Sequence, residues 1–189
     1  MRYSAEHKAQ TRERLVKAAG ALAKRQGFGT TGVDGLMGAA GLKGSSFYHH
    51  FASKGELLKD IIEQEFEGSR LLLIGRQDSS RTQLIKQTKA YLSQEHLDNA
   101  EQGCVLPRLS CEVARADEPV RQAFEAGVST MHADMAKVVG DPAAWAVMAL
   151  EVGAIMLAAG MASAQGQQQV LQACRQFAVR TIEANSANA

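Results

Sequence analysis

Apolar side chains recur at intervals of three and four residues through most of this 189-residue chain. That spacing places them on one face of an α-helix, whereas a half-buried strand would alternate apolar and polar residues. The clearest run includes Val120, Phe124, Val128, Met131 and Met135. A composition rich in good helix formers, with only three prolines, agrees with this pattern. The sequence therefore predicts an all-α protein of about nine helices and excludes collagen-like, disordered and disulfide-scaffold classes.

The periodicity divides the chain into an N-terminal headpiece, residues 1–52, and a longer body, residues 53–189. In the headpiece we predict helices at residues 5–26, 33–40 and 43–51. In the body, a capping box formed by Ser53 and Glu56 opens a long helix. Five further helices are predicted at residues 84–92, 105–114, 119–140, 143–164 and 170–182.

Charge is distributed unevenly between the two ends of the chain. Residues 1–60 contain ten Lys and Arg against five Asp and Glu, a balance of +5, and the remaining residues carry −4. A basic headpiece on an acidic body indicates that the headpiece binds a polyanion. A solvated charged helix would explain the same balance without a partner.

The predicted helix at 143–164 is apolar except for Glu151 and Ser163, and its length could span a membrane. A charge near the middle of such a span is costly in lipid, however. Burial between the core and a partner subunit explains an apolar helix equally well. We therefore expect a buried helix and no membrane association.

Glycine recurs at every third position over residues 29–44. Residues 27–32 also fit the G-x-G-x-x-G dinucleotide pattern, but that motif requires a preceding strand and a basic helix precedes it here. Gly35 and Gly38 fall inside the second predicted helix, where each weakens it by about 0.5–1 kcal/mol relative to alanine. We expect a marginal helix held by the packing of three apolar side chains, Val33, Leu36 and Met37.

Two short helices joined by a glycine-containing turn follow the basic first helix, which is the arrangement of a helix-turn-helix motif. The second of them offers small polar groups able to enter a DNA major groove. These groups are Lys43, Ser45, Ser46, Tyr48 and His49. Phe47 and Phe51 lie four residues apart, so both can face the headpiece core. Lys54 begins the next helix, where backbone N–H groups and a lysine together favour a phosphate.

At these residues the sequence resembles the TetR family of bacterial transcriptional regulators. The run Gly-Ser-Ser-Phe-Tyr-His-His-Phe-Ala-Ser-Lys, residues 44–54, is similar to that family's recognition-helix signature. The resemblance implies a repressor that binds double-stranded DNA, with Tyr48 and Lys54 on phosphates and Thr31 capping the second helix beside the backbone. The DNA-binding residues implied are Thr31, Lys43, Gly44, Ser45, Ser46, Tyr48, His49 and Lys54. The departures from the family pattern are Gly32, Gly35 and Gly38, where better helix formers are common.

The resemblance also implies a homodimer formed through the last two helices. Small residues of the eighth helix and one aromatic residue of the ninth could form a four-helix interface. They are Gly153, Ala154, Gly160 and Phe177. Such a dimer would place its two recognition helices about 34–36 Å apart, which suits a near-palindromic operator.

The family resemblance further implies a pocket in the body for a small-molecule inducer. The apolar candidates for its lining are Tyr91, Leu92, Leu109, Phe124, Met131, Trp145 and Met148. Methionines and aromatic residues at helical spacing also fill ordinary cores. The acidic body favours cationic or neutral ligands.

Residues 103–114 are similar to a segment of the N-ethylmaleimide repressor branch of the family, in which a cysteine senses electrophiles. Cys104 matches that cysteine. A thiol at a helix start can have a lowered pKa, and Arg108 one turn later could assist. The alternative is a buried, inert cysteine. Cys111 is expected on the same helix face as Cys104, too distant to pair with it.

The chain lacks the sequence signatures of phosphate-binding loops, serine hydrolases and zinc proteases. We expect no enzyme activity, no cofactor and no metal site. A polar start and three cysteines, an odd number, favour a reducing cytoplasm. A second hypothesis remains, in which the chain is a helical small-molecule-binding or oxidant-buffering protein without sequence-specific DNA binding.

Overall fold

A computed structural model describes residues 5–75 and 80–185 of the chain. Within these residues it contains nine α-helices and two 3-10 helices, and no strand. They are α1 (Ala5–Gln26), α2 (Val33–Ala39), the 3-10 helix η1 (Gly44–His49), α3 (Lys54–Leu73), α4 (Arg81–Tyr91), α5 (Gln94–Asp98), the 3-10 helix η2 (Ala100–Gln102), α6 (Leu106–Val113), α7 (Glu118–Val139), α8 (Asp141–Ala159) and α9 (Ala164–Ala184). The all-α prediction is confirmed.

The headpiece consists of α1, α2 and η1, packed around a small apolar centre. Leu36, Met37, Phe47 and Phe51 are almost completely buried there, as the spacing predicted. The turn between α2 and η1 passes through Gly41, whose φ of 73° is a left-handed conformation that favours glycine. The segment predicted as a helix at 43–51 is a shorter 3-10 helix.

The long helix α3 leaves the headpiece and enters the body. Its first turn forms the predicted capping box, in which the Ser53 hydroxyl accepts the Glu56 N–H at 3.1 Å. The Glu56 carboxylate accepts the N–H of Ala52 at 2.6 Å. Further along, the ring of Phe66 lies so close to Gly127 of α7 that any Cβ there would overlap it. That contact packs α3 tightly against α7.

The remaining helices of the body pack around α8. This helix is long and apolar enough to cross a membrane, but it packs against α7 and α9 and buries eight of its residues in the core. The prediction that it extends to residue 164 is wrong. At Gly160 the backbone hydrogen bonds change to the i to i−3 pattern, with the Gly160 N–H on the Leu157 carbonyl, and the α-helix ends. Ser163 is the N-cap of α9 and accepts the N–H of Gly166 at 3.1 Å. Two short elements, α5 and η2, were not predicted at all.

Several polar contacts join the headpiece to the body, and two of them involve Lys24 and Glu112. Lys24 of α1 is buried, pairs with Glu65 of α3 at 2.6 Å and donates to the carbonyl of Gly103 at 3.1 Å. On the other side, Glu112 of α6 accepts the backbone N–H groups of Phe28 and Gly29, at 2.8 and 2.5 Å. The loop that precedes α2 is therefore held directly by α6.

Candidate functional site

Four of the polar residues predicted to read DNA lie on the surface of η1 and at its N-cap. Lys43, Ser45, Tyr48 and His49 are exposed, and Tyr48, at 76%, is the most exposed aromatic side chain among the described residues. We call these four residues the recognition face. Gly44 and Ser46 lie beside them and are half-buried.

The buried face of η1 explains this exposure. Phe47 and Phe51 stack in the headpiece with ring centroids 5.7 Å apart, and the Tyr48 ring meets the edge of Phe47 at 5.3 Å. In a 3-10 helix, side chains three positions apart project together. Ser45 therefore shares a side with Tyr48, turned away from the phenylalanine core.

A basic cleft that the sequence did not reveal adjoins the recognition face at His49. It encloses about 470 Å³ between η1 and the start of α1. Its lining comprises His7, Lys8, Thr11, Arg14, Leu42, Ser46, His49 and His50. Burial lowers the pKa of His50, and the nearby charges of Lys8, His49 and Arg12 lower it further. The cleft is thus electropositive, a property of phosphate-binding surfaces.

Thr31 and Lys54 differ from the other predicted DNA contacts. The N-cap of α2 is Gly32 and not Thr31. The Thr31 hydroxyl instead donates to the carbonyl of Gly27 at 2.7 Å. The Lys54 ammonium donates to the carbonyl of Phe28 at 2.7 Å and lies 4.7 Å from the centre of its ring. In this structure both polar groups stabilise the loop between α1 and α2.

Most of the predicted inducer contacts lie in the core of the body. Tyr91, Leu92, Cys104, Leu109, Met131 and Met148 are at most 4% exposed. Phe124 is half-buried against Phe66, with ring centroids 5.5 Å apart. Trp145 does not join them. Its side chain is 47% exposed, because its position in α8 lies outside the face that the helix buries. Its ring stacks on that of His132, with ring centroids 4.1 Å apart.

The environment of Cys104 contradicts the expected activation of its thiol. Cys104 precedes α6 and is completely buried, and its N–H donates to Nε2 of His96 at 3.1 Å. Burial raises the pKa of the thiol, and the nearby Tyr91 and Ser69 hydroxyls oppose this only in part. Arg108 gives no assistance, because it donates to the carbonyl of Leu97 at 2.9 Å.

Cys104 and Cys111 also fail to share a helix face. Cys111 lies on α6 and is exposed, whereas Cys104 lies before that helix begins. Within residues 5–75 and 80–185, no three His, Cys, Asp or Glu side chains are grouped to hold a metal ion.

A group of buried polar side chains between α4 and α8 is the feature that sequence reasoning missed. The hydroxyls of Thr88 and Tyr91 and both carboxyl oxygens of Glu151 are buried and without a hydrogen-bond partner among the described residues. We call these three residues the buried polar cluster. Burial raises the pKa of Glu151 to about 8, opposed in part by Thr88. The available signal was the single acid in an otherwise apolar helix.

Residues 15–61 match the family described as bacterial regulatory proteins, tetR family. The chain is 29% identical over 121 residues to the HTH-type transcriptional repressor NemR of Escherichia coli strain K12, an alignment that covers 62% of this chain and 61% of NemR. It therefore matches less than two thirds of that relative's length.

Solved structures share the fold of the whole chain. The reduced form of Escherichia coli NemR has a TM-score of 0.65 at 23% identity, covering 88% of this chain and 96% of that one. A transcriptional regulator of the TetR family from Cytophaga hutchinsonii has a TM-score of 0.73 at 14% identity and covers all of both chains. At these identities the likeness concerns the fold alone.

Proposed function

We propose that this chain is a sequence-specific DNA-binding repressor of the TetR family, which a small-molecule or electrophile inducer releases from its operator; the match of residues 15–61 to that family supports the proposal. The observation that carries the proposal is the recognition face, a set of exposed polar side chains on a segment fixed by buried Phe47 and Phe51. A rigid element with a polar outer surface beside a basic cleft suits entry into a major groove. In this proposal the protein is cytoplasmic and regulatory, not catalytic.

In the proposed complex, residues 1–52 bind double-stranded DNA. Lys43, Gly44, Ser45 and Ser46 approach base edges, while Tyr48 and His49 reach the backbone or a base. Lys8 and Arg14 of the cleft add phosphate contacts from α1. Thr31 and Lys54 contribute by fixing the loop before α2, and a phosphate contact of Lys54 requires it to leave the Phe28 carbonyl.

The operator is proposed to be near-palindromic because the protein is proposed to act as a homodimer. Large apolar side chains are exposed on α8, on α9 and in the turn between them, and exposed apolar groups of this size mark an interaction site. They are Trp145, Met156, Leu157, Met161 and Phe177. Gly153 of α8 is half-buried and Gly160, directly after α8, is exposed, but Ala154 is buried in the core and cannot contact a partner.

Coupling between inducer and DNA would pass through α6. The carboxylate of Glu112 holds the loop before α2, and Lys24 joins α1 to the segment that leads into Cys104. An inducer in the body that displaces α6 would shift the headpiece of one subunit relative to the headpiece of the other subunit in the proposed dimer. The inducer must bind the two arrangements with different affinity for this to occur.

Fluorescence anisotropy on the DNA upstream of the chain's own gene, and on duplexes enriched from a random library, tests the proposal. We expect tight binding to one sequence over a scrambled duplex at near-physiological salt. Tyr48→Ala should weaken binding on every sequence and reduce the salt slope. The exposed Lys137→Ala of α7 is the control and should change neither.

The outcome also separates the second hypothesis. A helical small-molecule-binding or oxidant-buffering protein would select no sequence from the library, and Tyr48→Ala would have no effect. An electrophile that abolishes DNA binding in the wild type but not in Cys104→Ser would identify the thiol as the sensor. Release by a reversible ligand in both proteins would assign the response to the body core instead.

A further inference from the structure

The buried polar cluster joins two helices of the body through groups that water does not reach. Thr88 and Tyr91 are three residues apart on α4, so their side chains project from one face of that helix. Thr88 and Glu151 are completely buried, and Tyr91 is 2% exposed. Four oxygen atoms therefore lie in the core without a well-formed hydrogen bond to the described residues, although the Thr88 hydroxyl lies near the Glu151 carboxyl and the Tyr91 hydroxyl near the Cys104 thiol. Buried polar groups normally have partners, and each exception requires an explanation.

The chemistry of these oxygens selects a ligand class. A carboxylate only accepts hydrogen bonds, and the two hydroxyls can also accept, whereas an alkylammonium group offers three donors and no acceptor. Hydrogen bonds with charge on both partners are the strongest of the ordinary kinds. The same core contributes Met131 and Met148, whose flexible apolar side chains can adapt to a hydrocarbon group.

We propose that Thr88, Tyr91 and Glu151 form a binding site for a small organic amine, held as its ammonium cation by the Glu151 carboxylate. The inference rests on the proposed function in that it names the class of inducer the body recognises. A cleft of about 310 Å³ lies beside the residues that follow Tyr91, lined by Leu92, Ser93 and Gln94 and by Leu171 and Arg175 of α9, but by none of the three cluster residues. An amine therefore reaches the cluster only when the packing around it opens.

Binding of the cation changes the protonation of the cluster. With a pKa of about 8, Glu151 is mostly neutral at pH 7. The ammonium ion enters as the carboxyl group loses its proton to solvent, so one proton is released for each ligand bound. Affinity then rises by up to about tenfold for each pH unit between pH 6 and 8, and levels off above pH 8.

Other titratable groups near Glu151 do not produce this dependence. Tyr91 and Cys104 both have a pKa raised by burial and stay neutral in this range, while Arg108 stays charged. Burial lowers the pKa of His96 on α5, and its Nδ1 already bonds the Tyr91 carbonyl at 2.7 Å. On α7, His132 pairs with Asp141 at the start of α8, and on α9 burial raises the pKa of Cys174.

The test is calorimetric titration of the full chain with primary amines from methylamine to octylamine, with cyclohexylamine and benzylamine, and with the matching alcohols. We expect one or more amines to bind at least tenfold tighter than their alcohols. Titrations in phosphate and Tris, whose ionisation enthalpies differ, should report release of about one proton at pH 7.

Glu151→Gln keeps the size of the side chain and removes its charge. It should lower amine affinity at least tenfold and abolish both proton release and the pH slope, while the protein still melts cooperatively. Glu183→Gln, at an exposed position of α9, is the matched control and should bind amines as the wild type does. Thr88→Val should weaken binding by a smaller factor.

Two results would overturn the site: no amine of the series binds the wild-type protein at pH 8, or Glu151→Gln binds amines as tightly as the wild type. The proposed function fails separately. Amine binding that leaves operator affinity unchanged keeps the site but removes the inducer role. Intact operator binding without any amine binding removes the site and keeps the repressor.

Discussion

The recognition face and the buried polar cluster place polar groups in opposite settings. On η1, the exposed side chains of Lys43, Ser45 and Tyr48 are supported by two completely packed phenylalanines. In the body, Glu151 and Thr88 lie inside the core, unpartnered, on helices that otherwise bury apolar residues. Around η1 an apolar interior supports a polar surface, whereas α4 and α8 of the body hold polar groups within the apolar core.

The difference indicates how each region is used. A surface that docks on DNA must hold one geometry before it meets its partner, and close packing provides that rigidity. A site that must respond to a ligand gains from groups that are unfavourable until the ligand arrives. Such a region has less stability than its burial alone would give. The following experiments test that contrast, beginning with the largest expected effect.

Replacing Phe47 by alanine should remove the rigidity of the headpiece. Its ring is completely buried, and deletion of a buried phenylalanine side chain costs about 3–5 kcal/mol. We expect a large loss in the free energy of unfolding, measured by urea denaturation, and loss of DNA binding. Tyr48→Ala, next in sequence but exposed, should leave stability within about 0.5 kcal/mol of wild type. Equal destabilisation by both changes would contradict the separation of core and recognition face.

The buried carboxyl of Glu151 should make stability depend on pH. Its pKa in the folded protein, about 8, is above the ordinary value of 4.5, so the neutral form is favoured by folding. The protonated Glu151 therefore contributes fully to the free energy of unfolding below pH 4.5. This contribution is lost as pH rises toward 8, by up to about 1.4 kcal/mol per pH unit.

Urea denaturation at pH 6, 7 and 8 measures this effect. The wild type should lose stability across the range relative to Glu151→Gln, which has no proton to release. Glu183→Gln should follow the wild type, because that side chain is exposed. Parallel curves for the wild type and Glu151→Gln would show that the carboxyl is not buried in solution.

These two regions were not equally accessible to sequence reasoning. Helical periodicity and the spacing of Phe47 and Phe51 are local, so they predicted the headpiece core and the exposure of Tyr48 correctly. Glu151 was recognised only as an argument against a membrane span, since the helices that enclose it are distant in sequence. Trp145 was placed with the pocket because its residue type suits a core, but its register in α8 places it outside.

The ends of helices could be predicted only where the sequence contained a recognisable capping motif. The Ser53 capping box was found, but Ser93 and Ser163 also begin helices by accepting backbone N–H groups, and both were overlooked. The expected activation of Cys104 failed for a related reason. Its environment depends in part on His96, which belongs to α5, an element that the periodicity did not predict.

Breaking the contact between the two regions should have a moderate effect on stability and a specific one on regulation. Glu112→Ala removes the acceptor of the Phe28 and Gly29 N–H groups, which costs about 1–2 kcal/mol. We expect operator affinity to persist while its response to the inducer weakens, as measured by anisotropy with and without ligand. The exposed Glu125→Ala of α7 should retain the full response. An unchanged response in Glu112→Ala would exclude this contact from the coupling.

The smallest expected effect concerns α2, the weakest element of the rigid headpiece. Gly38 has no atom within 4 Å of a Cβ built on it and no left-handed φ, so Gly38→Ala should stabilise the protein by about 0.5–1 kcal/mol. Gly44→Ala should do the opposite, because its Cβ would overlap the Asp34 carboxylate. Thermal unfolding of both variants measures the difference. If Gly38→Ala also tightens operator binding, the flexibility of α2 limits recognition; if it changes only stability, packing of Leu36 and Met37 already fixes the helix for its role.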